Sequence, residues 1–307
     1  MNAAIRAVVR SATYYGINIT GIRRGYEGMI NGELFPMDRK SVSNIIQRGG
    51  TILKTARSEQ FKTSEGRKLA YEQLKTHNVD ALVAIGGDGT FTGARLFGSE
   101  YDIPIVGLPG TIDNDLIGTD FTIGYDTAIN TVIDAVDKIR DTAESHDRVF
   151  IVEVMGRDSG LIALRTGIAS GAEAIIIPET KTDINNLCER LERSRKDKLS
   201  KIVIVAEGDI AGGAFEIGRH VKERFPHYDT RVSILGHIQR GGRPSCMDRV
   251  LASRIGVAAV EALRDGHRNE MVGIIHNELS YTPFEHAIKH HVDINPNFLK
   301  LVEILSI

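Results

Sequence analysis

The feature that most restricts this chain is an alternation running through its whole length. Short, continuous Val- and Ile-rich runs are separated by segments of helical spacing. Residues 17–22, 81–85, 103–108, 149–154, 174–177, 202–205, 232–235 and 272–275 are predicted strands. They are too uniformly apolar to leave one face in water, as expected of parallel strands covered on both sides. Between them Ala128, Val132, Ile133, Val136 and Ile139 recur at threes and fours, as do Ile255, Ala258, Ala259 and Leu263. Strand and helix in alternation predict an α/β fold, doubly wound around mostly parallel sheets. No linker or charge block interrupts the pattern. Quiet crossings near Gly124 and Gly236 give two expected domains, 1–124 with 237–286 and 125–236 with 287–307. The strand ends at 82–88 and 202–209 look alike, which fits two similar halves or any buried strand running into a glycine loop. Asn2 is placed to cap a first helix with the stripe Ile5, Val8, Val9 and Ala12. A parallel sheet normally feeds such a helix from a strand, and here none precedes it.

Charge narrows the partners. Lys plus Arg is 38 against 40 for Asp plus Glu, a formal net charge of −2. No global basic field draws the chain to nucleic acid or a membrane surface. Apolar runs of about five to seven residues fall far short of the roughly 20 needed to span a bilayer. Residues after Met1 lack the pattern of a secretory signal, and Cys188 and Cys246 show no CxxC spacing. A cytoplasmic enzyme or ligand-binding protein is expected.

Two segments carry chemistry. Ile85-Gly86-Gly87-Asp88-Gly89-Thr90 lies where a strand runs into a predicted helix at 91–97. Glycines there let phosphate oxygens reach backbone N–H groups at a helix N-terminus, with Asp88 placed to hold Mg²⁺. The alternative is a tight turn that needs glycine for positive φ. Pro109-Gly110-Thr111-Ile112-Asp113-Asn114-Asp115 follows the next strand. If extended, it projects Asp113 and Asp115 to one side, one for metal and one as a base; otherwise it is an Asx-rich turn. Loops at successive parallel-strand ends converge where such sheets bind ligands.

Together with Met155-Gly156-Arg157 and Leu235-Gly236-His237-Ile238-Gln239-Arg240-Gly241-Gly242, these loops resemble the signatures of the bacterial 6-phosphofructokinase family. The likeness runs from Met1 to about Asn277. It implies phosphoryl transfer from MgATP to the 1-hydroxyl of fructose 6-phosphate. Asp113 would be the base, Thr111 and Arg157 would stabilise the transferring group, and Asp88 would hold Mg²⁺. Tyr26, Arg57, Ser58, Gly87, Gly89, Thr90 and Gly93 would bind ATP. Thr111, Asp113, Asp115, Met155, Gly156, Arg157, Glu207, His237 and Arg240 would bind the sugar phosphate, with Arg148 and Arg231 reaching from a neighbouring subunit of a homotetramer. Arg6, Arg10, Arg39, Arg140, Gly171, Glu173, Lys196 and Lys198 match the family's effector pocket for ADP and phosphoenolpyruvate. Arg6 and Arg10 lie one helical turn apart, suiting a phosphate or an ordinary basic face.

Pyrophosphate-using relatives typically carry Asp where this chain has Gly89 and Lys where it has Gly110. Glycine at 89 leaves room for the α-phosphate, so ATP is the expected donor. The resemblance departs at the start, where the family has a strand and a further glycine loop before Met-Asn-Ala; a start assigned too late is the expectation. Lys62 replaces a common Arg and keeps charge without the fork. The alternatives are a pyrophosphate-dependent enzyme and a non-catalytic subunit that binds sugar phosphate or effector. His286 and His290 could share a helix face and hold a metal, but a solvated pair beside His291 is the reading adopted.

Overall fold

The computed structural model describes residues 1–143, 148–180, 184–193, 200–208, 212–288 and 295–305. In chain order its helices and strands are α1 (Asn2–Tyr14), β1 (Ile19–Ile22), α2 (Gly25–Ile30), β2 (Leu34–Met37), α3 (Ser64–Thr76), β3 (Leu82–Gly86), α4 (Asp88–Tyr101), β4 (Ile105–Pro109), α5 (Tyr125–Ala143), β5 (Arg148–Val154) and α6 (Leu161–Ala169). There follow β6 (Ala174–Ile176), α7 (Ile184–Arg193), β7 (Ser200–Ala206), α8 (Gly213–Arg224), β8 (Asp229–Ile234), α9 (Cys246–Arg264), β9 (Glu270–Ile275), β10 (Glu278–Pro283), α10 (Phe284–Ala287) and α11 (Pro296–Leu305). The chain divides into two units, Met1–Thr111 with Leu116–Gly124 and Gly242–His290, and Ile112–Asp115 with Tyr125–Gly241 and His291–Ile307. The second crossing falls after residue 241 rather than 236, because Gly236–Arg240 coils into a short 3-10 helix packed on α5 of the second unit. The third falls after residue 290 rather than 286, and Ile112–Asp115 joins the second unit.

In the first unit the sheet order is β10-β9-β4-β3. Strands β3, β4 and β9 run parallel, and β10 folds back antiparallel on β9. The hairpin turns at His276 and Asn277, both left-handed with φ 51° and 68°. Asn tolerates that region, and two left-handed residues are what a two-residue hairpin loop requires. The predicted strand at 17–22 is shorter, Ile19–Ile22, and lies outside this sheet. It pairs antiparallel with β2, which the sequence reading missed because Pro36 sits within it. Proline is tolerated in a two-stranded ribbon, where every strand is an edge.

Strand β4 is buried along its whole length, as a covered parallel strand should be, whereas β3 forms one edge of the described sheet and is half-buried. Helices α1 and α9 pack against each other over this sheet through Ala4, Val8, Ala12, Ile255, Ala258 and Ala259. Gly256 permits the approach: a Cβ there would come 2.7 Å from the Ala7 Cβ. Asn2 does not cap α1 but sits inside it. Its amide instead donates to the carbonyls of Arg48 and Gly49 at 3.0 and 3.2 Å and accepts from the Ile52 N–H at 2.8 Å.

In the second unit the order is β6-β7-β5-β8, all parallel. Val149, Ile151, Val203 and Val205 pack beneath Leu191, Ile217 and Val221. Full burial of such a side chain contributes about 1.5–3 kcal/mol. Lys201 is buried among them, its ammonium donating to the Leu191 carbonyl at 2.9 Å and the Tyr228 hydroxyl at 2.7 Å. Among the described residues no helix is long and apolar enough to cross a membrane.

Candidate active site

In the first unit, β3 and β4 end in register, Gly86 opposite Pro109, and the Gly110 N–H donates to the Gly86 carbonyl at 2.8 Å. Their two loops therefore leave the sheet side by side. Helix α4 begins at Asp88, three residues earlier than predicted, so Asp88, Gly89 and Thr90 form its first turn rather than a loop. Both the Thr90 and Phe91 N–H groups donate to the Gly87 carbonyl.

None of Gly86, Gly87, Gly89 and Gly110 has positive φ. The left-handed-turn explanation for these glycines is thus removed. Packing accounts for three of them. A Cβ would meet the Thr90 hydroxyl at 2.2 Å from Gly86, the Thr111 Cβ at 3.3 Å from Gly87, and the Ile85 Cγ2 at 3.2 Å from Gly110. At Gly89 a Cβ would meet nothing within 4 Å. Glycine in a helix costs about 1 kcal/mol relative to alanine. Neither conformation nor packing among the described residues repays that cost.

Beside this turn, Tyr26 stacks on Phe61 with ring centroids 3.9 Å apart, and its hydroxyl donates to the Thr90 carbonyl at 2.6 Å. Burial holds that phenol well above its usual range. A Cβ on Gly93 would come 2.9 Å from the Tyr26 ring, so Tyr26, Phe61 and Gly93 meet on one side of α4. Phe61 was not singled out from sequence; a lone aromatic in a polar stretch carries no motif. Arg57 is exposed, and the Ser58 hydroxyl accepts from the Phe61 N–H.

In the second unit three neighbouring strand ends meet the other motifs. Met155-Gly156-Arg157 follows β5, Glu207 follows β7, and the 236–240 turn follows β8. The Glu207 carboxylate accepts from the N–H groups of Gly156 at 3.4 Å and Arg157 at 2.9 Å. This holds Arg157 in the left-handed region at φ 54°, which costs a non-glycine residue of order 1–3 kcal/mol. Gly208 is required by the same approach: a Cβ there would lie 1.7 Å from the Arg157 carbonyl. Buried Gln239 accepts from the Met155 N–H at 3.2 Å and donates to the Gly236 carbonyl, tying the loop that bears His237 and Arg240 to the β5 end. His237 and Arg240 are exposed. Gln239 lay within a quoted motif and Gly208 beside Glu207, yet neither spacing announced its role.

Arg157 reaches toward Asp113, Nε to Oδ2 3.9 Å, where the carboxylate is 8% exposed and the guanidinium 57%. The Ser159 hydroxyl donates to the Asp113 carbonyl. Asn114 is left-handed at φ 53°, so residues 113–115 are not the extended segment that would put both carboxylates on one side. Asp113 and Asp115 are both buried. Thr111 accepts the Thr122 hydroxyl on its carbonyl at 2.7 Å.

Arg148 and Arg231 lie elsewhere in this unit. Arg148 opens β5, while Met155 follows its end, a span of about 20 Å at ~3.3 Å per residue. Among the effector set, Arg6 and Arg10 line a cavity of about 350 Å³ with Ser11, Tyr14, Tyr15 and Val257. Burial, and then the like charge of Arg10, push Arg6 below the usual arginine range. Arg39 is exposed. In the other unit Arg140 donates to the Ser170 carbonyl next to left-handed Gly171, and buried Glu173 accepts from the Ile202 N–H at 2.7 Å. Lys196 and Lys198 lie outside the described residues, as do His290 and His291. Lys62 pairs with Glu59 at 2.8 Å, and His286 faces Glu285 at 3.6 Å.

The phosphofructokinase family profile matches residues 1–263. The ATP-dependent 6-phosphofructokinase 2 of Bacteroides thetaiotaomicron is 57% identical over 308 residues, covering 100% of this chain and 94% of its own. The ATP-dependent 6-phosphofructokinase 1 of Thermus thermophilus is 54% identical, covering 100% and 95%. The likeness thus continues past Asn277, where the motifs give out. Phosphofructokinase from Saccharomyces cerevisiae superposes with a TM-score of 0.88 at 37% identity, covering 100% of this chain, which spans 44% of that one. A pyrophosphate-dependent phosphofructokinase from Marinobacter aquaeolei, at 22% identity and a TM-score of 0.83, shares the fold. Glycine-cleared strand ends in one unit, a buttressed arginine beside a buried aspartate in the other, and identity above one half along the whole length agree: the chain belongs to the phosphofructokinase family.

Proposed function

We propose that the chain is an ATP-dependent 6-phosphofructokinase, transferring the γ-phosphoryl group of ATP to the 1-hydroxyl of fructose 6-phosphate. The observation that carries the choice of donor is Gly89. It stands in the first turn of α4 with no conformational or packing reason to lack a side chain. Room at a helix N-terminus next to a carboxylate suits a polyphosphate. The names of the relatives support the same donor.

On this reading the first unit binds nucleotide, with Gly87, Gly89 and Thr90 against the phosphates, Arg57 and Ser58 reaching toward them, and Tyr26, Phe61 and Gly93 beside the remainder. Asp88 fits Mg²⁺, which keeps most of its waters and needs one carboxylate plus phosphate oxygens. Among the described residues no group of three or more His, Cys, Asp or Glu could hold a metal ion. When bound, Mg²⁺ neutralises phosphate charge.

The second unit binds the sugar phosphate through Asp115, Met155, Gly156, Glu207, His237 and Arg240. Asp113 takes the proton of the attacking hydroxyl, and Thr111 and Arg157 meet charge developing on the transferring oxygens. Arg148 stands about a strand length from the Met155 loop, too far to share its ligand within one copy, and Arg231 is tied to it through Asp229. They therefore serve the 6-phosphate held by a neighbouring copy in a homotetramer. The Arg6–Arg10 cavity receives the phosphate of an effector, ADP or phosphoenolpyruvate, in a pocket between subunits to which Arg39, Arg140, Gly171, Glu173, Lys196 and Lys198 also belong. The reaction is placed in the cytoplasm.

An assay coupled to fructose 1,6-bisphosphate formation, run with ATP and with pyrophosphate, tests this. Turnover with ATP alone is expected. Turnover with pyrophosphate alone, or with neither despite fructose 6-phosphate binding by calorimetry, would overturn it.

A further inference from the structure

Asp229 has no place in the scheme above, yet it is the most heavily engaged carboxylate near the two arginines assigned to a neighbour's phosphate. It opens β8 directly opposite Arg148, which opens β5, and Arg231 follows two residues along the same strand. The Arg148 Nε donates to Asp229 Oδ2 at 3.0 Å. Arg231 grips the same carboxylate side-on, Nε to Oδ1 at 2.9 Å and Nη2 to Oδ2 at 3.1 Å. Hydrogen bonds first from Arg231 and then from Arg148 hold the Asp229 carboxyl below its ordinary range.

Isolated exposed ion pairs do little. Three features set this one apart. The parallel register, not a chance rotamer, brings the partners together. One carboxylate is shared between two guanidiniums, whose like charges would otherwise repel across the ladder. Both arginines are engaged through their Nε edges, so Arg148 keeps both terminal nitrogens, and Arg231 its Nη1, for another anion. Side-chain exposure is 25% for Arg148, 40% for Asp229 and 59% for Arg231, so each can be reached from outside.

We propose that Asp229 is a positioning residue for sugar-phosphate binding, fixing Arg148 and Arg231 as one preformed fork. The loss of side-chain freedom that a flexible arginine suffers on binding phosphate is then met in the folded chain rather than at binding. This rests on the reading that the two arginines receive the 6-phosphate.

The test uses the full-length chain carrying Asp229→Asn, Asp229→Glu, Arg148→Ala or Arg231→Ala, with each variant's melting followed by circular dichroism. Asp229→Asn is expected to raise the fructose 6-phosphate concentration for half-maximal velocity roughly tenfold, equivalent to about 1.4 kcal/mol. Saturating velocity and ATP half-saturation should stay within about twofold, since the residue acts only through the phosphate fork. Asp229→Glu keeps the carboxylate and should recover most of the loss, which a merely structural role would not produce. An unchanged half-saturation value in Asp229→Asn, with both arginine variants impaired, overturns the positioning role alone. A lowered value also overturns it, making Asp229 a competitor of the phosphate. If neither arginine variant is impaired, the phosphate assignment itself fails.

Discussion

On the proposed reading, the chain meets its ligand at the carboxyl end of β3 and β4 by removing side chains, and at the carboxyl end of β5, β7 and β8 by bracing one. In the first unit four glycines clear the strand ends, three so that the loops can nest and one, Gly89, with nothing among the described residues to accommodate. In the second, Glu207 and Gly208 hold Arg157 in a backbone region that it would not adopt unaided, and Gln239 ties in the neighbouring loop. Both edges are parallel-strand ends of the kind that bind ligands. The difference follows what each must contact. A polyphosphate is rich in acceptors and is met by backbone N–H groups, so what it needs is clearance. A reacting oxygen is a single point, and the cation facing it has to be aimed.

The hardest blow to this contrast comes at the base. Asp113→Ser should lower kcat by about 10²–10⁴-fold while leaving the half-saturating fructose 6-phosphate concentration nearly unchanged. Unaltered turnover in the coupled assay would end the assignment. Next, Gly208→Ala forces a methyl group against the Arg157 carbonyl, so the 156–158 turn has to move. A fall in kcat of about ten- to a hundredfold is expected, consistent with the sensitivity of catalysis to misplacement by an ångström. ATP half-saturation should stay put. If ATP binding suffers instead, the two edges do not divide the work as described.

Gly89→Asp probes the cleared edge. The side chain meets open space, so melting should be unaffected, while ATP half-saturation rises about tenfold through repulsion of the phosphates. A drop in stability with normal ATP use would make Gly89 structural. The smallest effect lies away from both edges. The Arg67 guanidinium forks onto Glu100 and also donates to the Phe61 and Lys62 carbonyls. Those hydrogen bonds hold the Glu100 carboxyl below its ordinary 4.5. A depressed carboxyl stabilises the fold fully above its unfolded value and loses that contribution as pH falls through the folded one. Glu100→Gln should therefore destabilise the protein by about 1–2 kcal/mol at pH 7, with the gap to the parent closing below about pH 4. Kinetics should not change, which shows what a purely structural loss looks like beside the other three.

Much of this could be read before any coordinates. The Val- and Ile-rich runs marked the parallel strands because burial on both faces leaves no polar positions to blur them. The elements that escaped detection were those under weaker constraint. Strand β2 contains Pro36, and β10 is exposed or half-exposed throughout, so neither shows a continuous apolar run. The site residues were visible as motifs, but the reasons for them were not. Asn2, at a position suited to a cap, spends its amide on residues 48, 49 and 52. Asp113 and Asp115 lost their common side to one left-handed residue, Asn114. Long-range hydrogen bonds and single backbone inversions leave no periodic trace. That is also why Gln239, Gly208 and Phe61 went unnoticed beside residues that were named.

The packing of α1 on α9 sets an order of events during synthesis. In residues 2–14, Ile5 and Val9 are covered by the nearby Met37, Val42 and Ile45, whereas Ala4, Val8 and Ala12 are covered by residues 246–264, which come more than two hundred positions later. At about 5–20 residues per second, that second face of the helix waits on the order of ten seconds or more for its cover. The uninterrupted stretch Tyr125–Gly241, most of the second unit, is made before then. The face of α1 turned toward α9 therefore completes its burial only once residues 246–264 have been made.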